Sequence, residues 1–132
     1  MSVLRPTSLL AAFLILFLLL VACRREPTPL ALGEQVQTVC TDECAARGQC
    51  GRLTDERLVV LGHDGGPAVS GHNRFFFDEA LVTISEINAR EVIAASNGVP
   101  LSSEATPFPH NFYRVEGEGK IAWVSEWCLA RP

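Results

Sequence analysis

FYRVEGEGKIAWVSEWCLA, residues 112–130, is the stretch whose reading decides the fold. Phe112 to Glu116 and Lys120 to Leu129 are rich in aromatic and β-branched residues. Gly117-Glu118-Gly119 between them is turn chemistry, so the stretch predicts two antiparallel strands that close the chain. Trp123 and Trp127 stand four residues apart on the second strand and project from one face. A face carrying two indoles is either core or the floor of a groove, and here Trp127 is assigned to the core and Tyr113 to a groove.

Upstream the same chemistry recurs. Arg57 to Leu61 is a short β-rich run ending in the turn Gly62-His63-Asp64-Gly65-Gly66-Pro67. Arg74 to Phe77 is short and aromatic; alternation buries at least one ring of Phe75-Phe76-Phe77. In Ala80 to Ile87, Val82 and Ile84 alternate with Thr83 and Ser85, and Arg90 to Ala95 follows closely enough to predict a tight hairpin. Asn97 to Asn111, with Gly98, Pro100, Pro107 and Pro109, reads as an irregular loop of unusual length. About five or six short strands separated by turns predict a mainly β fold.

Before the strands, Gly33 to Gly48 predicts a helix. Val36, Val39, Cys40 and Cys44 recur on one helical face, Gly48 supplies a stop, and Asp42, Glu43 and Arg47 face water. Cys40, Cys44, Cys50 and Cys128 are an even set, which in an exported chain implies two disulfides. A bond between Cys40 and Cys44 is awkward on a helix, so each reaches outward, one to Cys50 or thereabouts and one to Cys128. The count alone leaves all three connectivities open. The Cys-x3-Cys-x5-Cys spacing matches no usual zinc or iron–sulfur pattern. A metal- or redox-active envelope protein built on these four cysteines is the alternative.

The final strands resemble the C-terminal hairpin of bacterial SH3-like domains. Tyr113 and Val115 fill the first half of that pattern, and Trp123, Val124 and Leu129 the second. Asp78-Glu79-Ala80-Leu81-Val82-Thr83-Ile84 is similar to an inner strand of the family, and Val59 to Val69 to its opening, with Gly66-Pro67 as the shared turn. Ala122 stands where the family has Gly, and its opening arginine is absent. The resemblance covers about Leu58 to Ala130. It implies a small SH3-like barrel, preceded here by one short disulfide-linked helix, with Tyr113, Trp123 and Phe108 lining a peptide groove.

At the other end, Leu9 to Ala22 is an unbroken apolar run behind Arg5, the composition of a signal peptide and too short for the roughly 20 residues that span a bilayer. It closes on Leu20-Val21-Ala22-Cys23, which resembles the lipobox of bacterial lipoproteins. That resemblance implies cleavage before Cys23 and a diacylglycerol on its sulfur. Acyl chains contribute about 0.8 kcal/mol per buried CH₂, so two or more hold firmly. Arg24 to Leu32 is a proline-stiffened tether, with Arg24 and Arg25 at the headgroups. The organisation expected is a signal peptide over 1–22, a lipidated tether over 23–32, a Cys-rich helical leader over 33–50 and an SH3-like β domain over 51–132. The protein is then anchored in the cell membrane or outer membrane, facing away from the cytoplasm.

Charge and motifs narrow the function. Without residues 1–22 the chain carries ten basic and fifteen acidic side chains, and no basic stripe is present to neutralise phosphates, which argues against nucleic acid. No Gly-x-Ser-x-Gly elbow, His-Glu-x-x-His or phosphate loop occurs. His63, His72 and His110 sit beside turn residues and read as exposed loop histidines; Asp64, Asp78 and Glu79 read as solvated turn acids. The expectation is a non-catalytic binding module for a peptide, peptidoglycan or an envelope protein, with no metal, cofactor or catalytic residue. A small envelope hydrolase is the second alternative.

Overall fold

The computed structural model describes residues 28–93, 95–96, 99–100 and 106–132. Met1–Leu30 and Ala31–Pro132 are separate units. The expected signal peptide, the Cys23 expected to carry lipid and the Arg24-Arg25 pair lie outside the described residues. No helix among the described residues is long and apolar enough to cross a membrane.

Ala31–Pro132 is mainly β. In order it runs β1 (Gln35–Thr38), α1 (Asp42–Ala46), β2 (Cys50–Arg52), β3 (Leu58–Gly62), β4 (Arg74–Phe77), β5 (Leu81–Val92), β6 (Ala95–Ser96), β7 (Val99–Pro100), β8 (Phe108–Gly117) and β9 (Lys120–Ser125). A 3₁₀ turn (Glu126–Cys128) then leads into β10 (Leu129–Ala130). One sheet has the order β10-β1-β5-β8-β9 and a second the order β2-β3-β4, while β6 and β7 pair with each other. Between the two larger sheets one isolated β-bridge occurs among the described residues, His63 with Trp123, whose amide groups exchange bonds of 3.1 and 2.9 Å. Among the described residues they do not close into a continuous barrel.

The helix expected over 33–48 is only α1. Val36 and Thr38 are fully buried while Gln35 and Gln37 are not, an alternation of period two, and β1 is held between β5 and β10. The helix begins where Thr41 can cap it, its hydroxyl accepting the Cys44 N–H at 3.2 Å, and Gly48, at φ 67°, stands just past its end. Cys40 bonds Cys50 and Cys44 bonds Cys128.

The hairpin expected between 80–87 and 90–95 is instead one strand, β5. Asn88-Ala89 lacks the glycine a tight turn needs, and β8 pairs with β5 from Thr83 to Val92. The register shifts between Ile84 and Glu86, leaving Ser85 as a bulge that bends the strand. The last strand also differs from expectation. Ser125 breaks it by capping the 3₁₀ turn, so Trp127 sits on a turn and not on a strand. The irregular 97–111 stretch includes β7 and the start of β8; residues 97, 98 and 101–105 are outside the described residues.

Two apolar clusters result. On one face of the large sheet, Val36 pairs with Val82, Ile84 with Val115, Val115 with Ala122 and Tyr113 with Val124, all buried. Val60 and Phe76, paired in the small sheet, are also fully buried. The two sheets approach so closely at Gly62 that a Cβ there would lie 3.0 Å from both the Ala122 Cβ and the Trp123 carbonyl oxygen. On the opposite face, Val92, Phe112 and Trp123 form a second cluster, against which Phe108 and Trp127 pack. The free edge of β4 is capped. Glu118 Oε2 accepts the Phe77 N–H at 3.2 Å, and Lys120 Nζ donates to the Phe75 carbonyl at 2.9 Å.

The two disulfides close loops of very different length, 10 and 84 residues apart in sequence. In the chain-entropy account they constrain the unfolded chain by about 2.7 and about 4.5 kcal/mol. The double variant Cys44→Ala/Cys128→Ala should therefore lower the denaturation midpoint by clearly more than Cys40→Ala/Cys50→Ala, which calorimetry of the two measures.

Candidate binding site around Trp127

Three elements converge on Trp127. The 3₁₀ turn is fixed by Ser125, whose Oγ accepts the Trp127 N–H at 3.3 Å. Thr41 donates its hydroxyl to the Trp127 carbonyl at 3.3 Å, and the Cys44–Cys128 bond ties α1 to the same turn. From β8, the alternating residues Phe108, His110 and Phe112 share the face beneath the indole. His110 stacks on Trp127 with centroids 3.7 Å apart and planes 28° from parallel. Phe108 lies 6.2 Å from the indole, and Phe112 meets His110 edge-on at 5.1 Å. The Arg47 guanidinium lies 5.1 Å from the Trp127 ring, and its Nη1 is buried without a hydrogen-bond partner. Glu43 flanks it at 4.0 Å.

Beneath the indole runs a polar chain. His110 is buried; its Nε2 lies 2.8 Å from Ser125 Oγ and its Nδ1 3.0 Å from Glu126 Oε1. With the proton on Nδ1 every group is satisfied: Trp127 N–H donates to Ser125, Ser125 O–H to His110 Nε2, and His110 N–H to Glu126. Asn111 Nδ2 holds the other oxygen of that carboxylate at 2.9 Å. Burial pushes the His110 pKa below the ordinary imidazole value, against the opposing pull of Glu126.

Serine, imidazole and carboxylate in this order are the components of a hydrolytic triad. The burial runs the wrong way for that chemistry. The Glu126 side chain is 35% exposed, whereas Ser125, which a substrate must reach, is 1% exposed and its oxygen already accepts the Trp127 N–H. The arrangement serves to seat the indole.

Of the expected groove residues, only Phe108 is half-exposed at the site. Tyr113 is 2% exposed, since its strand position turns it to the opposite face, where it pairs with Val124. Trp123 is buried in the cluster below. Trp127, assigned to the core, is half-exposed instead, because the 3₁₀ turn lifts it out of the sheet. His110 is not an exposed loop histidine but lies inside β8; the alternation Phe108, His110, Phe112 is the signal that places it there. His72 is half-buried, its Nε2 3.1 Å from Gln49 Oε1, and His63 Nδ1 accepts the Gly65 N–H at 2.9 Å. Asp78 is no idle turn acid: it accepts the Cys40 N–H at 2.7 Å. Of the three phenylalanines, Phe76 is fully buried and Phe75 exposed. All four cysteines of the metal or redox alternative are joined in pairs, and no group of three metal-ligating side chains occurs among the described residues. Comparison with protein-family models, curated proteins and solved structures gave no match.

The pH dependence follows from His110. Its folded-state pKa lies below the unfolded value of about 6.5, so on acidification the unfolded chain takes up the proton first. The group's contribution is complete above about pH 6.5 and is lost below it, at up to about 1.4 kcal/mol per pH unit. Denaturation of His110→Gln should show a shallower loss of stability than the parent between about pH 7 and pH 5.

Proposed function

We propose that this chain is a lipid-anchored, non-catalytic binding module of the bacterial envelope, SH3-like in type, that takes an extended peptide across Trp127 and Phe108. The peptide belongs to the cell wall or to an envelope protein. The observation that carries this reading is the seated indole. A large aromatic is held half-exposed by a stacked imidazole, two hydrogen bonds and a neighbouring disulfide, beside Phe108 and the Arg47 cation. Aromatics presented in this way recognise extended, low-entropy backbones. Arg47, Glu43 and Glu126 rim the aromatics and supply polar contacts to a ligand's backbone or charged ends.

Support for the SH3-like type comes from strand order. The last strand enters through a 3₁₀ turn and lies beside the first, and β5, β8 and β9 follow as a meander. Two disulfides suit an oxidising compartment, and the Leu20-Val21-Ala22-Cys23 close of the apolar run supports an anchor at Cys23.

Two experiments test the two halves. Metabolic labelling with an alkynyl fatty acid should tag the parent chain and leave Cys23→Ser untagged. Titration of wall stem peptides and proline-rich peptides, followed by Trp fluorescence, should give saturable binding. Trp127→Ala should weaken it by roughly 2 kcal/mol or more, as expected of an aromatic hot spot, and Arg47→Glu should weaken it while leaving the thermal midpoint near the parent's.

A further inference from the structure

Strand edges in this fold are treated unequally. The outer edge of β4 is capped by Glu118 and Lys120, and the outer edge of β9 meets His63. The outer edge of β5 from Glu86 to Val92 is different. β1 pairs with β5 only through Leu81–Thr83, β8 takes the other side, and among the described residues no strand covers the rest. Such an edge is a template for another chain.

Its geometry can be followed through the bulge. Ile84 faces outward, its N–H donating to Glu34 and its carbonyl accepting from Gly33 at 3.0 and 2.8 Å. The register shift after it adds one residue, so the outward set becomes Ile87, Ala89 and Glu91. Glu86, Asn88 and Arg90 project from one face of the strand, and Ile87, 40% exposed, with Ala89 from the other.

We infer that β5 pairs antiparallel with β5 of a second copy of this chain, about a two-fold axis through Asn88. This register sets Glu86 opposite the partner's Arg90 and Arg90 opposite the partner's Glu86. It sets Ile87 opposite the partner's Ala89, where the two residues exchange backbone hydrogen bonds in both symmetry-related positions. Charges that blunt an edge are usually of one sign and repel a like strand. Here the signs alternate so that the edge complements itself, as an isologous contact requires. One strand edge buries less than the roughly 1,200–2,000 Å² of stable complexes, so the dimer is concentration dependent. The pairing is independent of the Trp127 site and of any anchor.

The test uses the full chain carrying Asn88→Cys. The axis places residue 88 opposite itself in a non-hydrogen-bonded pair, with Cα atoms about 4.5 Å apart, within disulfide reach. Mild oxidation should yield a covalent dimer on a non-reducing gel, well above that from a control cysteine at the exposed Glu56. Adding Arg90→Glu should reduce the yield by roughly tenfold, two opposite-charge pairs having become like-charge pairs. Adding Glu86→Arg as well should restore it. Arg90 also donates to the Pro67 carbonyl at 3.4 Å; that contact is lost in both variants, so restoration reports the charge pairing alone. A yield no greater than the Glu56 control, or a loss that the double reversal does not repair, overturns the proposal.

Discussion

The bond between Cys44 and Cys128 is the constraint on which the rest of the domain depends. Both sulfurs are wholly buried, and the bond joins the short helix near the start of the domain to the 3₁₀ turn near its end. With that junction closed, β1 lies against β10, the Val39 N–H reaches the Cys128 carbonyl at 2.8 Å, and Thr41 meets the Trp127 carbonyl. A domain of this size has a modest core, and pairing its first and last strands is costly in loop entropy. The covalent link supplies that closure, so two-residue strands such as β10 persist.

A second constraint is the bulge at Ser85. Before it, β5 contributes Val82 and Ile84 to the core shared with β1; beyond it, the strand's alternation is reset and Val92 contributes to the cluster under Trp127. One extra residue thus lets a single twelve-residue strand serve two hydrophobic clusters on opposite faces. Gly62 has a matching role between the sheets, because a Cβ there would press at 3.0 Å on both the Ala122 Cβ and the Trp123 carbonyl, so that β9 would have to give by a few tenths of an ångström.

Much of this was legible in the amino-acid order. The alternation of Val82 and Ile84 with Thr83 and Ser85, the aromatic and β-branched run 112–116, the glycine turn at 117–119 and the even cysteine set point to a mainly β, disulfide-stapled domain, and the disulfides reach Cys50 and Cys128 as expected. What escaped was whatever tertiary context overrides. Val36, Val39, Cys40 and Cys44 satisfy a helical period, yet Val36 and Thr38 equally satisfy a strand, and β5 and β10 decide between them. Nothing local marks Asn88-Ala89 as mid-strand. The half-exposure of Trp127 turns on a cap: Ser125 ends the strand, so the alternation from Trp123 does not carry on to Trp127, whereas Tyr113 is buried by its own place on β8 opposite Val124. His110 shows the same limit, for its burial is set by an indole seventeen residues away in sequence.

The seat beneath Trp127 has a consequence for any molecule that docks there. The indole's backbone is bonded at both its N–H and its carbonyl, its ring is stacked, and the next residue is cross-linked. Its rotameric freedom is therefore spent during folding and not at the moment of contact. A preorganised surface of this kind loses little conformational entropy on association. Selectivity at the proposed site would then rest on shape, since a fixed ring rejects what a mobile one would move aside to accept.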